Sequence, residues 1–541
     1  MSISSWGGDS SDDAFHGPAT SVAGPEKGIV SAYEPKGDDV LVDSHTPAPV
    51  RDVSGDILDD GLRRVLKGRH FVIIALGSII GPGTFYGLGY ALFLSGTPGA
   101  LLGFAIVGVS VWILMQSVGE LTTLFPIHGG FVEHAGRFVD PALSFAMSWL
   151  HYLMWSVFLA ADWNSAILIL RYWVSEETFP SYAWAFLFWA AFSVVTLLGV
   201  NVYGELEYYF GMFKFLSLII LSIVANVGGF GGDYVGFRYW RKPTGPIIHG
   251  VDGFGQVFVL AAAYYVGTEI ISLAGGESRN PKNDAPRAIN SVVYRILVVY
   301  VGMPFFQGLI CPSNSPDLLN ADSVVASSPF TIGFVDAGWK TAGHFVHALI
   351  TVAFVSAANG VVMCSREPSI PWRFPWVAIL TSNLWGFLRL MNRKLSAGRV
   401  FAYMNSVGGT AAYIAWAAII FTHLQVRAAV KKQGIDVRTF PYRAFESIWL
   451  YRLNFAFNVF LLFIQGYTVF KHPFNWRSFI ACYITIPTFF ILFFGFKFYK
   501  KTHWVRLHEV DFSDRREWVA PSAKERDART WMRKLWDLFK D

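Results

Sequence analysis

From about residue 70 onward the chain alternates long apolar runs with short polar ones. Twelve runs are candidate membrane spans: 71–95, 99–125, 141–173, 182–200, 208–230, 254–275, 291–312, 341–363, 374–391, 400–426, 450–470 and 476–499. About 18 uncharged apolar residues suffice to cross a bilayer. Membrane β-strands would give shorter, alternating segments. The pattern therefore predicts an all-α polytopic membrane protein with about 12 transmembrane helices.

The first 60 residues are polar and rich in Gly, Ser, Asp and Pro, and read as a disordered tail. This gives three expected regions: a cytoplasmic N-terminal tail over 1–68, a transmembrane domain over 69–500 and a cytoplasmic C-terminal tail over 501–541. Lys and Arg gather on the flanks that face inward when both termini are cytoplasmic. The loop carrying Arg389, Arg393, Lys394 and Arg399 runs against that bias. Near the C-terminus, RTWMRKLWDLFK puts Trp531, Leu535, Leu538 and Phe539 on one helical face. Such a helix lies on the membrane surface or docks onto the protein, and the sequence does not choose.

Composition agrees with this class. Of the 541 residues 53% are hydrophobic and only 15% charged, too few charges to cover a soluble chain of this size. The net charge of +5 is modest and its bases sit beside apolar runs, which argues against a nucleic-acid partner. Cys311, Cys364 and Cys482 are widely spaced and odd in number, so they suggest neither a disulfide framework nor a metal site. No Ser/His/Asp set, metal-ligand spacing or phosphate loop points to an enzyme or a cofactor. The span-three aromatics read as packing and interface anchors.

The first span contains IIGPGTFYG, Ile79 to Gly87. Pro82 has no N–H to continue the helix. Gly81 and Gly83 let the backbone leave helical geometry. Unwound backbone within a bilayer must be buried in protein or line a wet cavity. Its free N–H groups can hold a carboxylate. Close helix packing through Gly77, Gly81, Gly83 and Gly87 explains the same glycines equally well. A second interruption, Gly267-Thr268-Glu269, lies in AAAYYVGTEIISLAGGE of span six. Interrupted helices at matching positions of two repeats point to a midplane site. The guest expected there is a small zwitterion. Its carboxylate meets the amides of span one, and its ammonium meets carbonyls and hydroxyls of span six.

The runs GRHFVIIALGSIIGPGTFYGLGYAL, GALLGFAIVGVSVWILMQSVGELTTLFP, GGFVEHAGRFVDPALSFAMSW and VGTEIISLAGGESRNPKNDAPRAI, and more weakly SVGGTAAYIAW, resemble the fungal amino-acid permeases of the amino acid–polyamine–organocation superfamily. The resemblance covers roughly residues 60–515. It implies an inverted five-plus-five repeat with two extra C-terminal helices. It also implies proton-coupled import of an amino acid by alternating access, at the plasma membrane. The partners implied are the amino acid, protons and the lipid bilayer. Lys27 and Lys36 are candidate ubiquitin acceptors for the trafficking machinery, as any exposed lysine would be.

By this resemblance the substrate site takes in Ser78, Ile80, Gly81, Gly83 and Thr84 of span one, and Tyr265, Gly267, Thr268 and Glu269 of span six. Glu269 is a candidate to exchange a proton during the cycle, or a cap on the broken helix. Glu120, Asp162 and Lys214 are candidate coupling or gating residues. Glu120 fits a structural hydrogen bond at least as well. Lys214 fits snorkelling to the interface equally well. Asp162 stands where many relatives have glutamate. His344 and His347, at the start of span eight, fit an interfacial role better than a relay or a metal site.

Two departures from the family pattern bear on function. Pro82 removes one amide from the span-one cradle. The connection from Cys364 to Pro371 is short, with roughly two dozen residues missing by resemblance. The alternatives this raises are a transport-defective variant or a sensor of the same fold. The low-complexity N-terminal tail argues against a sensor.

Overall fold

The computed structural model describes residues 88–127, 129–170, 173–197, 216–241, 247–275, 281–319, 328–351, 397–470 and 473–513, with isolated positions at 209, 213, 384, 385 and 387. The chain divides into two units, 1–48 and 49–541, and every described residue belongs to the second. Ser78, Ile80, Gly81, Gly83, Thr84 and Lys214 lie outside the described residues. So do the Cys364–Pro371 connection and the C-terminal amphipathic segment.

The regular elements among the described residues are all helices, with no strand among them. In chain order the principal helices are α1 (Leu88–Leu124), α2 (Gly130–Phe138), α3 (Pro141–Leu170), α4 (Ser181–Leu197) and α5 (Leu216–Asn226). There follow α6 (Gly250–Tyr265), α7 (Ile270–Gly275), α8 (Pro281–Arg295), a π-helical stretch over Ile296–Val301, α9 (Gly302–Ile310) and α10 (Pro329–Asp336). The last are α11 (Ala397–Lys432), α12 (Ile448–Ile464), α13 (Trp476–Tyr483) and α14 (Thr485–Lys500).

Five described helices are long and apolar enough to cross a membrane, or six if α13 and α14, bent by 42°, form one span. The chain is thus a multi-pass membrane protein. At 37 residues α1 would be about 55 Å long if straight, far more than one crossing needs. It kinks at Gly96 (φ 72°, ψ 169°), between the two expected spans. α11 extends six residues past the expected end of span ten, to Lys432. The segment GFVEHAGRF, between the second and third expected spans, forms the short helix α2.

The core is built where α11 packs on α3, α1 and α12, and α1 packs on α6 and α8. A polar knot fastens α12 to α1. Ser110 donates to Asn454 Oδ1 at 2.6 Å, and the Asn454 amide donates back to the Ser110 carbonyl at 2.9 Å. Away from water such reciprocal bonds pin one helix register against another.

Residues 502–513 are not a free tail. They lie across the ends of α1, α2 and α11. Val510 and Phe512 are buried with Leu121, Leu124, Phe125 and Phe138. Gln433 donates to the carbonyls of Leu507 and Val510 at 3.0 and 2.8 Å, and Gln425 to that of Val505 at 3.0 Å. Asp140 bonds Lys497, the Thr502 hydroxyl at 2.8 Å and the Ala142 N–H at 2.8 Å. Burial raises the Asp140 pKa, but these three donors more than offset it and hold the carboxyl below its ordinary range.

Candidate functional site

The interruption in span six is a real break between α6 and α7. Val266 leaves the helix with φ −57° and ψ 141°. Gly267 follows with φ +100°, a region that side chains rarely tolerate. The Thr268 hydroxyl donates to the Tyr265 carbonyl at 3.1 Å, covering one acceptor that the break frees. Glu269 is fully buried and folds back over the start of α7. Both its oxygens accept the Gly267 N–H at 3.2 Å. The Trp416 indole N–H, from α11, reaches Oε2 at 3.2 Å.

Three walls close on this break. On one side, the far edge of the Trp155 ring on α3 is 3.5 Å from where a Cβ on Gly267 would stand. On another, Tyr265 donates its hydroxyl to the Phe104 carbonyl of α1 at 2.9 Å. Its ring lies 3.9 Å, centroid to centroid, from that of Tyr300 in the π-helical stretch. Gly108 permits this approach, since a Cβ there would come within 2.6 Å of Ile296 and 2.7 Å of the Tyr265 hydroxyl. Trp416 forms the third wall. The span-six candidates Tyr265, Gly267, Thr268 and Glu269 are thus brought together.

Asp162 is buried on α3, seven residues and so two helical turns from Trp155 on the same face. No described contact joins it to Glu269 or Glu120. Of the histidines that begin span eight, His347 is buried and packs edge-on to Trp173, with ring centroids 5.7 Å apart. Among the described residues no three His, Cys, Asp or Glu side chains gather to hold a metal ion.

Glu120 belongs to a second buried centre. Arg427 of α11 grips both its oxygens with Nε and Nη2. His423, one turn earlier on α11, lies 3.2 Å from Oε1 through Nε2. The Ala444 N–H donates to Oε2 at 2.8 Å. A carboxylate only accepts, so His423 Nε2 carries a hydrogen toward it, while the Nδ1 lies 3.3 Å from the Ser117 hydroxyl. Glu120 thus makes hydrogen bonds to a neighbouring helix, one of the two arrangements expected for it. Between the two centres, the Ser272 hydroxyl of α7 lies 3.1 Å from that of Thr122, two residues past Glu120.

By sequence alone Trp155 and Trp416 read as packing or interface anchors, and neither His423 nor Arg427 stands out as a site residue. The available signals were slight. Trp416 ends the motif SVGGTAAYIAW, and His423 and Arg427 are spaced i, i+4 on one helix face.

Comparison with known proteins identifies the family. The amino acid permease family matches residues 70–367 and 372–509. The chain belongs to that family. It is 34% identical to the general amino acid permease AGP3 of Saccharomyces cerevisiae, over 90% of this chain and 93% of that protein. It is 32% identical to the basic amino-acid permease of the same yeast, over 87% and 88% of the two chains. It is also 32% identical to the lysine-specific permease LysP of Escherichia coli, over 84% and 96%. With these relatives the chain is a fungal-type amino-acid permease of the amino acid–polyamine–organocation superfamily, an amino-acid transporter. Among solved structures, the manganese transporter of Eremococcus coleocola superposes with a TM-score of 0.52 at 11% identity, covering 82% of this permease and 98% of that chain. That likeness concerns the fold alone. The family match breaks at residues 368–371, inside the short connection that departs from the family pattern.

Proposed function

We propose that this permease imports an amino acid together with protons, by alternating access around two broken helices. The observation that carries the reading is the α6–α7 break at Gly267, with the buried Glu269 carboxylate at its mouth. An ionisable group buried within a span is costly and is a functional candidate by default. In this reading the carbonyls and hydroxyls at the break take the substrate ammonium. Ser78, Ile80, Gly81, Gly83 and Thr84 take its carboxylate. Glu269 exchanges the coupled proton. Glu120 with Arg427 forms a gate, while Asp162 and Lys214 tune coupling.

The same reading gives about twelve spans in an inverted five-plus-five repeat with two extra helices, both termini cytoplasmic, and residence in the plasma membrane. The tails over 1–68 and 501–541 are then cytoplasmic, with Lys27 and Lys36 open to ubiquitin. The relatives named for general, basic and lysine transport do not single out one substrate, so a test must include cationic, anionic and neutral amino acids.

The experiment is uptake of such a labelled panel into permease-deficient yeast expressing the chain, at acidic and neutral external pH, with surface delivery measured in the same cells. Accumulation that is stronger at acidic pH supports the proposal. A second reading is favoured by one observation, the break in the family match at residues 368–371. A shortened link after span eight would leave a transport-defective variant or a sensor of the same fold. Surface protein without uptake would favour that reading.

A further inference from the structure

Trp155 is held at both ends. The far edge of its six-membered ring lies against the Gly267 break, as described above. At the other end its indole N–H donates to His151 Nε2 at 2.7 Å. An indole nitrogen can only donate. His151 Nε2 therefore accepts, and the hydrogen of the neutral imidazole sits on Nδ1. His151 is buried, and its Nδ1 has no hydrogen-bond partner among the described residues. Leaving a buried donor unmade is costly. The Trp155 indole N–H escapes that cost only because His151 Nε2 accepts it.

The rings reinforce this arrangement. Phe131 of α2 stands edge-on to His151, with centroids 5.2 Å apart and planes at 76°. Trp155 stands edge-on to both His151, at 5.8 Å, and Phe158, at 6.0 Å. Phe131 thereby backs His151, and His151 sets the angle at which the indole meets the break. A leucine or phenylalanine would fill the space, but neither could accept the indole N–H.

We propose that His151 is a positioning residue for the substrate site. It acts through the Trp155 indole, fixing the wall against which the amino acid's side chain packs at the α6–α7 break. The inference rests on the reading that the break is the substrate site. A wall held in one orientation contributes to affinity in proportion to how little freedom binding must remove. The effect therefore falls on KM more than on the maximal rate.

The test uses the full-length chain in permease-deficient yeast, with the amino acid that the wild type takes up best among labelled lysine, glutamate and leucine. His151→Leu is expected to raise KM about five- to tenfold, the equivalent of one hydrogen bond, with the maximal rate per surface molecule changed less than about twofold. His151→Gln, whose amide oxygen can accept the indole N–H, recovers most of the loss. Trp155→Phe, which removes the donor, raises KM similarly. Adding His151→Leu to it produces little more, since residues acting as one unit are not additive. Ultraviolet resonance Raman of the purified protein gives an independent readout. The Trp155 band, identified by difference from Trp155→Phe, should report a strong indole hydrogen bond in the wild type and a weak one in His151→Leu. Additive KM changes, or an unchanged Raman band, would overturn the proposal while leaving the transport reading intact. A wild type that neither takes up nor binds any of the three amino acids removes the site reading, and this inference with it.

Discussion

Trp416 of α11 donates its indole N–H to Oε2 of Glu269, 3.2 Å away, across 147 positions of sequence. The bond ties a long unbroken helix to the mouth of a broken one. Rearrangement of the break must therefore loosen or carry along its contact with α11. On the proposed alternating-access reading, Glu269 would then sit at a joint that moves during the cycle.

Glu269→Gln keeps the side chain's size and one acceptor but removes the proton site. Concentrative uptake is expected to disappear, and residual exchange to lose its dependence on external pH. Trp416→Phe removes only the donor to the carboxylate. A buried hydrogen bond contributes about 0.5–1.5 kcal/mol net, so uptake should fall roughly two- to tenfold without losing its pH dependence. The check is initial uptake rate against external pH for each variant, normalised to surface protein.

The Glu120 centre predicts a stability effect. Removing one partner of a buried ion pair leaves the other charge uncompensated and costs about 3–5 kcal/mol. Arg427→Met alone should therefore destabilise the protein strongly. Glu120→Gln combined with Arg427→Met should recover part of the loss. Thermal unfolding in detergent measures both. With Glu120→Gln measured alone as well, a double-variant loss equal to the sum of the two single-variant losses would show that the pair is not coupled.

His134, on the short helix α2, gives a pH prediction. Its Nε2 lies 2.8 Å from the Phe125 carbonyl. Burial holds its pKa down to about 4, from an ordinary 6.5, with the nearby Arg137 adding to the effect and the Phe125 bond opposing it. Above pH 6.5 both folded and unfolded states are neutral, and this site's contribution is fully present. As pH falls from 6.5 toward 4 the unfolded state gains the proton first, and stability is lost. The loss should total ~1–3 kcal/mol. His134→Gln can still donate to the Phe125 carbonyl and should flatten this part of the melting-temperature profile.

The strap over 502–513 predicts a boundary for truncation. Ending the chain after Ser513 keeps Val510 and Phe512 in their buried cluster, and should leave stability and uptake near wild type. Ending it after Lys501 removes both side chains and the Thr502 bond to Asp140. Burying each such apolar side chain contributes about 1.5–3 kcal/mol, so the shorter chain should unfold several degrees earlier. Paired melting curves decide it.

What could be read in advance was whatever announces itself locally. The Gly267-Thr268-Glu269 break stood out because glycine and a carboxylate interrupt an apolar run, and the turn between the first two spans fell at Gly96 as expected. Contacts between distant segments left no such trace. Arg427 looked like one more basic residue on an inner flank, since nothing in its neighbourhood names Glu120 as its partner. Trp155 and Trp416 looked like ordinary membrane aromatics, because an indole that lines a site and one that faces lipid are the same in sequence. Val510 and Phe512 were too few to break the polar appearance of the tail, although the ends of α1, α2 and α11 bury them.

The central claim is that amino-acid movement is coupled to protons through the α6–α7 break. The most direct measurement is uptake by the purified full-length protein in proteoliposomes, with the outside made acidic relative to the lumen. The account predicts that the labelled amino acid accumulates above its external concentration, that a protonophore collapses the accumulation, and that Glu269→Gln only equilibrates it. Equilibration by the wild type regardless of the gradient, or undiminished accumulation by Glu269→Gln, would contradict it.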